Sequence, residues 1–143
     1  MHFDLPPRDR HASVSTVAMP RDTNALGDIF GGWLMSHADI AGAILAYRRA
    51  RGRVVTVAVN DFVFLAPVFV GDLVSFYSDL AHVGRTSLRV DVTMFAESDW
   101  GSQDRVHRVA TASMTYVHVD SQRRPLPVPD PQSPRVAPPA KKV

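Results

Sequence analysis

Asp39 is the charge most in need of an explanation. It interrupts a run in which Ile29, Phe30, Trp33, Leu34, Met35, Ala38, Ile40, Ala41, Ala43 and Ile44 are apolar. A carboxylate in such surroundings is costly unless it is paired, hydrogen-bonded or used in chemistry. Eight residues earlier comes the pair Gly31-Gly32. Apolar side chains on every face predict a helix reaching to about Arg51 and buried on all sides, and the glycines fall at its start. Bare backbone there lets a carbonyl come close, and the N–H groups of a helix start favour developing negative charge. A base and an oxyanion cradle are what hydrolysis of an acyl compound requires. Plainer readings exist for both: Asp39 as an interface carboxylate held by a partner's donors, and the glycines as a tight bend under Trp33.

Helix geometry separates Gly31 from Asp39 by about 12 Å. Groups that serve one carbonyl must lie within about 3 Å of the reacting atoms, or one water away. If both act, each site takes Gly31 from one subunit and Asp39 from another, as an antiparallel helix pair across a two-fold axis would allow.

The elements that must hold these groups are legible from pattern. Residues 12–19 alternate as a short strand, and residues 19–32 carry loop signals. Arg48, Arg49 and Arg51 suit the negative end of the helix dipole, with Gly52 as the stop. Strands follow at 54–65, 73–81, 86–97 and 105–119, with turns at Val70-Gly71-Asp72, at 82–85 and at 98–104. The expectation is an α+β fold, an antiparallel β-sheet of about five strands wrapped around one long central helix. Residues 1–12 are expected to be a flexible N-terminus, 13–120 the domain, and 121–143, which hold seven of the 11 prolines, a proline-rich disordered tail.

The runs DTNALGDIFGGWLMSHADIAG, RGRVVTVAVNDFVFLAPVFVGD and HVGRTSL resemble, in the same order, the hot-dog-fold acyl-CoA thioesterases of the YciA-like group. The resemblance covers roughly residues 13–127. It implies hydrolysis of acyl-CoA to a carboxylic acid and coenzyme A in a site shared between subunits, with Asp39 as general base or nucleophile and Gly31 and Gly32 at the oxyanion. It implies that the Asn24 amide positions the carbonyl or the water, where sequence alone gives an Asx-turn. It also places Gly84, Arg85, Thr86 and Ser87 at the coenzyme, where Arg85 could otherwise be a solvated turn residue; Arg53 is a further candidate for the phosphates. Asp28 reads as a cap or brace for the helix start, and His37 as packing or interface, with substrate contact as the alternative.

The remaining composition narrows the classes. A chain of 143 residues makes one domain. With no cysteine, thiolate catalysis, disulfides and cysteine zinc sites are excluded, which fits a cytoplasmic home. The six histidines are scattered, so neither a metal site nor a separate cofactor is expected. There is no secretory pattern, membrane-length apolar run, nucleotide fingerprint or Walker sequence. A net charge of +2 gives little reason to expect nucleic acid. The expected partners are acyl-CoA and further copies of the chain, as homodimer, tetramer or hexamer. Two other functions compete: a non-catalytic acyl-CoA-binding module, and a hot-dog hydratase or dehydratase. The latter would want a histidine at the helix start, where this chain has Phe30.

Overall fold

A computed structural model describes residues 2–100 and 105–131. Five strands and one long helix follow in the order β1 (Val14–Val17), α1 (Gly31–Ala50), β2 (Val54–Phe64), β3 (Leu73–Val83), β4 (Ser87–Glu97) and β5 (Val106–His118). The strands form one antiparallel sheet in the order β1-β3-β4-β5-β2. β3, β4 and β5 are consecutive hairpins, whereas β2 crosses to the far edge and pairs with β5. The sheet curls over α1, as expected of the hot-dog fold. Small residues make the close approach: α1 buries Leu34, Ala38, Ala41, Gly42, Ala46 and Ala50 against Val74, Phe76, Leu88, Val92 and Met114.

The helix is not buried on all sides within one chain. Met35, Ile40 and Tyr47 stay exposed, together with Val57, Val59, Val63 and Phe64 on β2 and Leu65 and Phe69 just beyond. A single five-stranded sheet supplies one wall only, so the apolar residues of the second face need a cover from outside the chain. The helix ends at Ala50, and its cap falls one residue before the expected glycine. Arg51 itself takes the left-handed conformation, with φ 57°. Gly52 is required for another reason, because a Cβ there would stand 2.6 Å from His118 Nε2.

Both chain ends make specific contacts among the described residues, beginning with the N-terminal segment. Phe3 stacks on Phe95 at 5.8 Å and meets Tyr77 edge-on, while Arg10 forms a fork with the Asp79 carboxylate at 2.8 and 2.9 Å. It covers aromatic residues on the outer face of the sheet, which a proline-rich and polar composition does not announce. Of the tail, residues 121–131 are irregular but docked. Leu126 N–H donates to His118 O, Val128 N–H to Arg85 O, and Arg49 Nη1 to Pro129 O at 2.7 Å. Proline removes N–H donors from a segment but leaves every carbonyl to accept, and the arginines at the helix end use them. Residues 132–143 of the expected tail lie outside the described residues.

Candidate active site

Asp39 lies halfway along α1, half-buried, on the side facing β2. The Thr56 hydroxyl donates to Asp39 Oδ1 at 2.6 Å. Among the described residues no cation pairs with this carboxylate. The Tyr116 hydroxyl donates to the Asp39 backbone carbonyl at 2.9 Å. Burial, and then the nearby Asp39 carboxylate, push the Tyr116 phenol well above its ordinary pKa, which keeps it protonated as a donor. Thr56 escapes the sequence reading. Within VVTVAV its hydroxyl is the sole polar group, but strand alternation does not say which helix residue a strand residue will face.

The other catalytic candidates gather at the start of α1. Asn24 Oδ1 accepts from Leu26 N–H at 2.9 Å and from Asp28 N–H at 3.1 Å, so the amide oxygen shapes the loop in the Asx manner. The Asn24 amide nitrogen is left to donate elsewhere. Asp28 does not cap the helix; its backbone serves the Asn24 turn, and the cap position is Phe30, with no side-chain cap bond. Among the described residues, neither Gly31 nor Gly32 N–H has a backbone acceptor. Neither glycine has a positive φ, so no tight bend demands them. A Cβ on Gly31 would meet the Phe64 ring at 3.0 Å, whereas one on Gly32 would meet nothing within 4 Å. Beside Gly31 opens a cavity of about 420 Å³, lined by Ile29, Leu34, Phe64, Ala66 and Val68 among others.

The coenzyme candidates lie at the opposite end of the sheet. Gly84 N–H bonds Ser87 O at 2.8 Å to close the β3–β4 turn, and a Cβ at Gly84 would press on Ser87 Oγ at 2.7 Å. Thr86 O accepts from His118 N–H, and Arg53 O from Val119 N–H, so both flank the end of β5. Arg85 and Arg53 are exposed. Thr56, which holds Asp39, is aligned with Tyr116, and Tyr116 with Leu88. Asp39, Thr56, Arg53 and the 84–87 turn therefore form one group. Asn24, Gly31, Gly32 and the cavity form another, with Gly31 about 12 Å from Asp39 along an unbroken helix. His37 packs edge-on against Trp33 at 4.6 Å and near Phe76, and burial lowers its pKa. Among the described residues no three His, Asp or Glu side chains come together as a metal-binding group, and no helix is long and apolar enough to cross a membrane.

Comparison with known proteins gives this geometry a context. Residues 26–100 match the Thioesterase superfamily. The acyl-CoA thioester hydrolase YciA of Salmonella typhimurium is 46% identical over 117 residues, covering 81% of this chain and 88% of the relative. The hexameric thioesterase y2039 of Yersinia pestis superposes with a TM-score of 0.79 at 42% identity, over 87% of this chain and 99% of the other. An acyl-CoA hydrolase of Staphylococcus aureus, solved with coenzyme A as an asparagine-to-alanine variant, gives a TM-score of 0.75 at 28% identity over 81% and 68%. The same protein has been solved as an aspartate-to-alanine variant, its altered position fifteen residues after that asparagine. On sequence and fold together, the chain belongs to the thioesterase superfamily.

Proposed function

We propose that this protein hydrolyses acyl-CoA thioesters to the carboxylic acid and coenzyme A, in a site built by two subunits. One observation carries the reading: Asp39, a carboxylate with no pairing cation among the described residues, is fixed by the Thr56 hydroxyl at 2.6 Å beside a face that its own sheet leaves open. Asn24 and Asp39 are fifteen residues apart, like the two positions altered in the Staphylococcus aureus relative. The exposed apolar face of α1 and β2 supports association with a second copy, and the hexameric relative supports a larger assembly.

In this reading the thioester oxygen sits against the N–H groups of Gly31 and Gly32, which meet the negative charge as it develops. The amide nitrogen of Asn24 in the same loop orients the carbonyl or the water. Asp39 of the other subunit takes the proton from water, or itself attacks the carbonyl, with Thr56 holding one carboxylate oxygen so that the other faces the substrate. Collapse of the tetrahedral species expels coenzyme A as its thiolate, which takes up the proton removed from water; where Asp39 itself has attacked, water then hydrolyses the Asp39–acyl anhydride to release the acid. Arg85 and Arg53, grouped with Asp39, meet the coenzyme phosphates beside the 84–87 turn, and the cavity beside Gly31 takes the acyl chain. Asp39→Asn keeps the size of the side chain and removes its basicity. The expected result is a folded protein whose turnover is lower by orders of magnitude; near-normal turnover would refute the assignment.

A further inference from the structure

We infer that Tyr116 is a positioning residue for this reaction, holding the main chain at Asp39 while its cross-strand neighbour Thr56 holds the side chain. The inference rests on the hydrolase reading above and adds a residue that never touches substrate. Tyr116 is fully buried on β5, and its hydroxyl reaches the Asp39 carbonyl at 2.9 Å. That carbonyl lies in mid-helix, where the backbone already supplies a donor four residues on, so α1 does not need the bond in order to form. A buried phenol does need an acceptor, yet the sequence has gone further than satisfying it.

Gly42 is what admits the hydroxyl. A Cβ at Gly42 would stand 2.3 Å from Tyr116 Oη and 3.0 Å from its Cζ. Glycine in a helix interior is unfavourable relative to alanine, and Gly42 has no left-handed φ that would demand it. Its reason is the room it gives Tyr116. The strand register then joins the two holds. Thr56 and Tyr116 are directly paired between β2 and β5, and a register shift follows immediately, between Thr56 and Ala58. One cross-strand pair thus grips Asp39 at both carboxylate and carbonyl, fixing where the carboxylate sits relative to a substrate held by the other subunit.

The fold provides its own control. Ser78 on β3 donates from a buried hydroxyl to the Ala41 carbonyl at 2.8 Å. That bond also ties the sheet to α1, but two residues away and without any partner at the Asp39 side chain. Tyr116→Phe keeps the ring and removes only the donor. Turnover is expected to fall about tenfold with the Michaelis constant within about twofold, while Ser78→Ala leaves turnover within about twofold. Because Thr56 and Tyr116 hold one group, the loss in the double variant Thr56→Val, Tyr116→Phe should be smaller than the product of the single losses. Gly42→Ala, which displaces the phenol, should reproduce the Tyr116→Phe loss.

Unchanged turnover in Tyr116→Phe, losses that simply multiply with Thr56→Val, or an equal loss in Ser78→Ala overturns the inference. A crystal structure of Tyr116→Phe tests it without any assay of turnover. The Thr56 Oγ1 to Asp39 Oδ1 separation should open beyond about 3.5 Å, and a bond kept at 2.6 Å overturns the inference. Wild-type protein inactive on every acyl-CoA would instead defeat the hydrolase reading, and that result is distinct from all of these.

Discussion

Replacing Gly32 by alanine should move stability and activity in opposite directions. Gly32 is the second residue of α1, exposed and without a positive φ, and nothing in the chain lies within 4 Å of where its Cβ would be. By backbone preference alone, alanine there is better by up to about 0.5–1 kcal/mol. For a domain of this size that raises the melting temperature by about 1–3 °C. Helical Cβ atoms tilt toward the N-terminus, so the new methyl group stands on the side from which a carbonyl would approach the N–H groups. Loss of one oxyanion donor costs about 100-fold in turnover or more. Thermal unfolding followed by circular dichroism reads the first quantity. A thiol-reactive dye reads the second cleanly, because a protein without cysteine contributes no thiol of its own. Gly31→Ala is the contrasting variant. Its Cβ meets the Phe64 ring at 3.0 Å, so stability and turnover should fall together. Turnover of Gly32→Ala within twofold of wild type would refute the oxyanion role. A melting temperature several degrees lower would show instead that the glycine exists to pack against a partner.

The division of the site into two groups predicts complementation. Asn24→Ala and Asp39→Asn, co-expressed with different tags, should give mixed dimers in which one site carries both lesions and the other neither. Random mixing then restores roughly a quarter of wild-type activity, and no recovery in verified mixed dimers would mean that each chain holds a complete site. Arg85→Ala should raise the Michaelis constant for acyl-CoA more than it lowers turnover, since a phosphate contact is made in ground and transition states alike. The same variant should be close to normal on an acyl thioester lacking the nucleotide; equal loss on both substrates would make Arg85 structural.

The sequence carries the parts of this protein that depend on local pattern. Alternation located the four long strands to within a few residues, and an isolated charge among apolar neighbours pointed to Asp39. The distance between Gly31 and Asp39 followed from helix geometry alone. What stayed hidden depends on which surfaces meet. Thr56 and Tyr116 gain their meaning from a β2–β5 register that includes two irregularities, and no periodicity announces it. Asn24 could be an Asx turn or a ligand donor, and the fold shows its oxygen used in the turn while its nitrogen remains. The chain ends read as loose because their composition is polar and proline-rich. The contacts they make, such as Phe3 on Phe95 and Arg49 on the Pro129 carbonyl, depend on the position of particular residues, which composition does not encode. The helix looked buried all round because its apolar residues lie on every face, whereas its own sheet covers one side and leaves Met35, Ile40 and Tyr47 exposed.

The crossing of β2 to the far edge bears on the order of events during synthesis. Asp39 and Thr56 leave the ribosome early, but the strand that fixes their register is β5, the last to appear. Until then β2 has no neighbour to pair with, and the exposed valines along it are a stretch open to mispairing. β3, β4 and β5, joined by short turns, can assemble from local contacts, whereas closing β2 onto β5 spans most of the domain and comes slowly. A nascent or truncated chain can therefore carry Asp39 and Thr56 long before the strand that sets the register between them is in place.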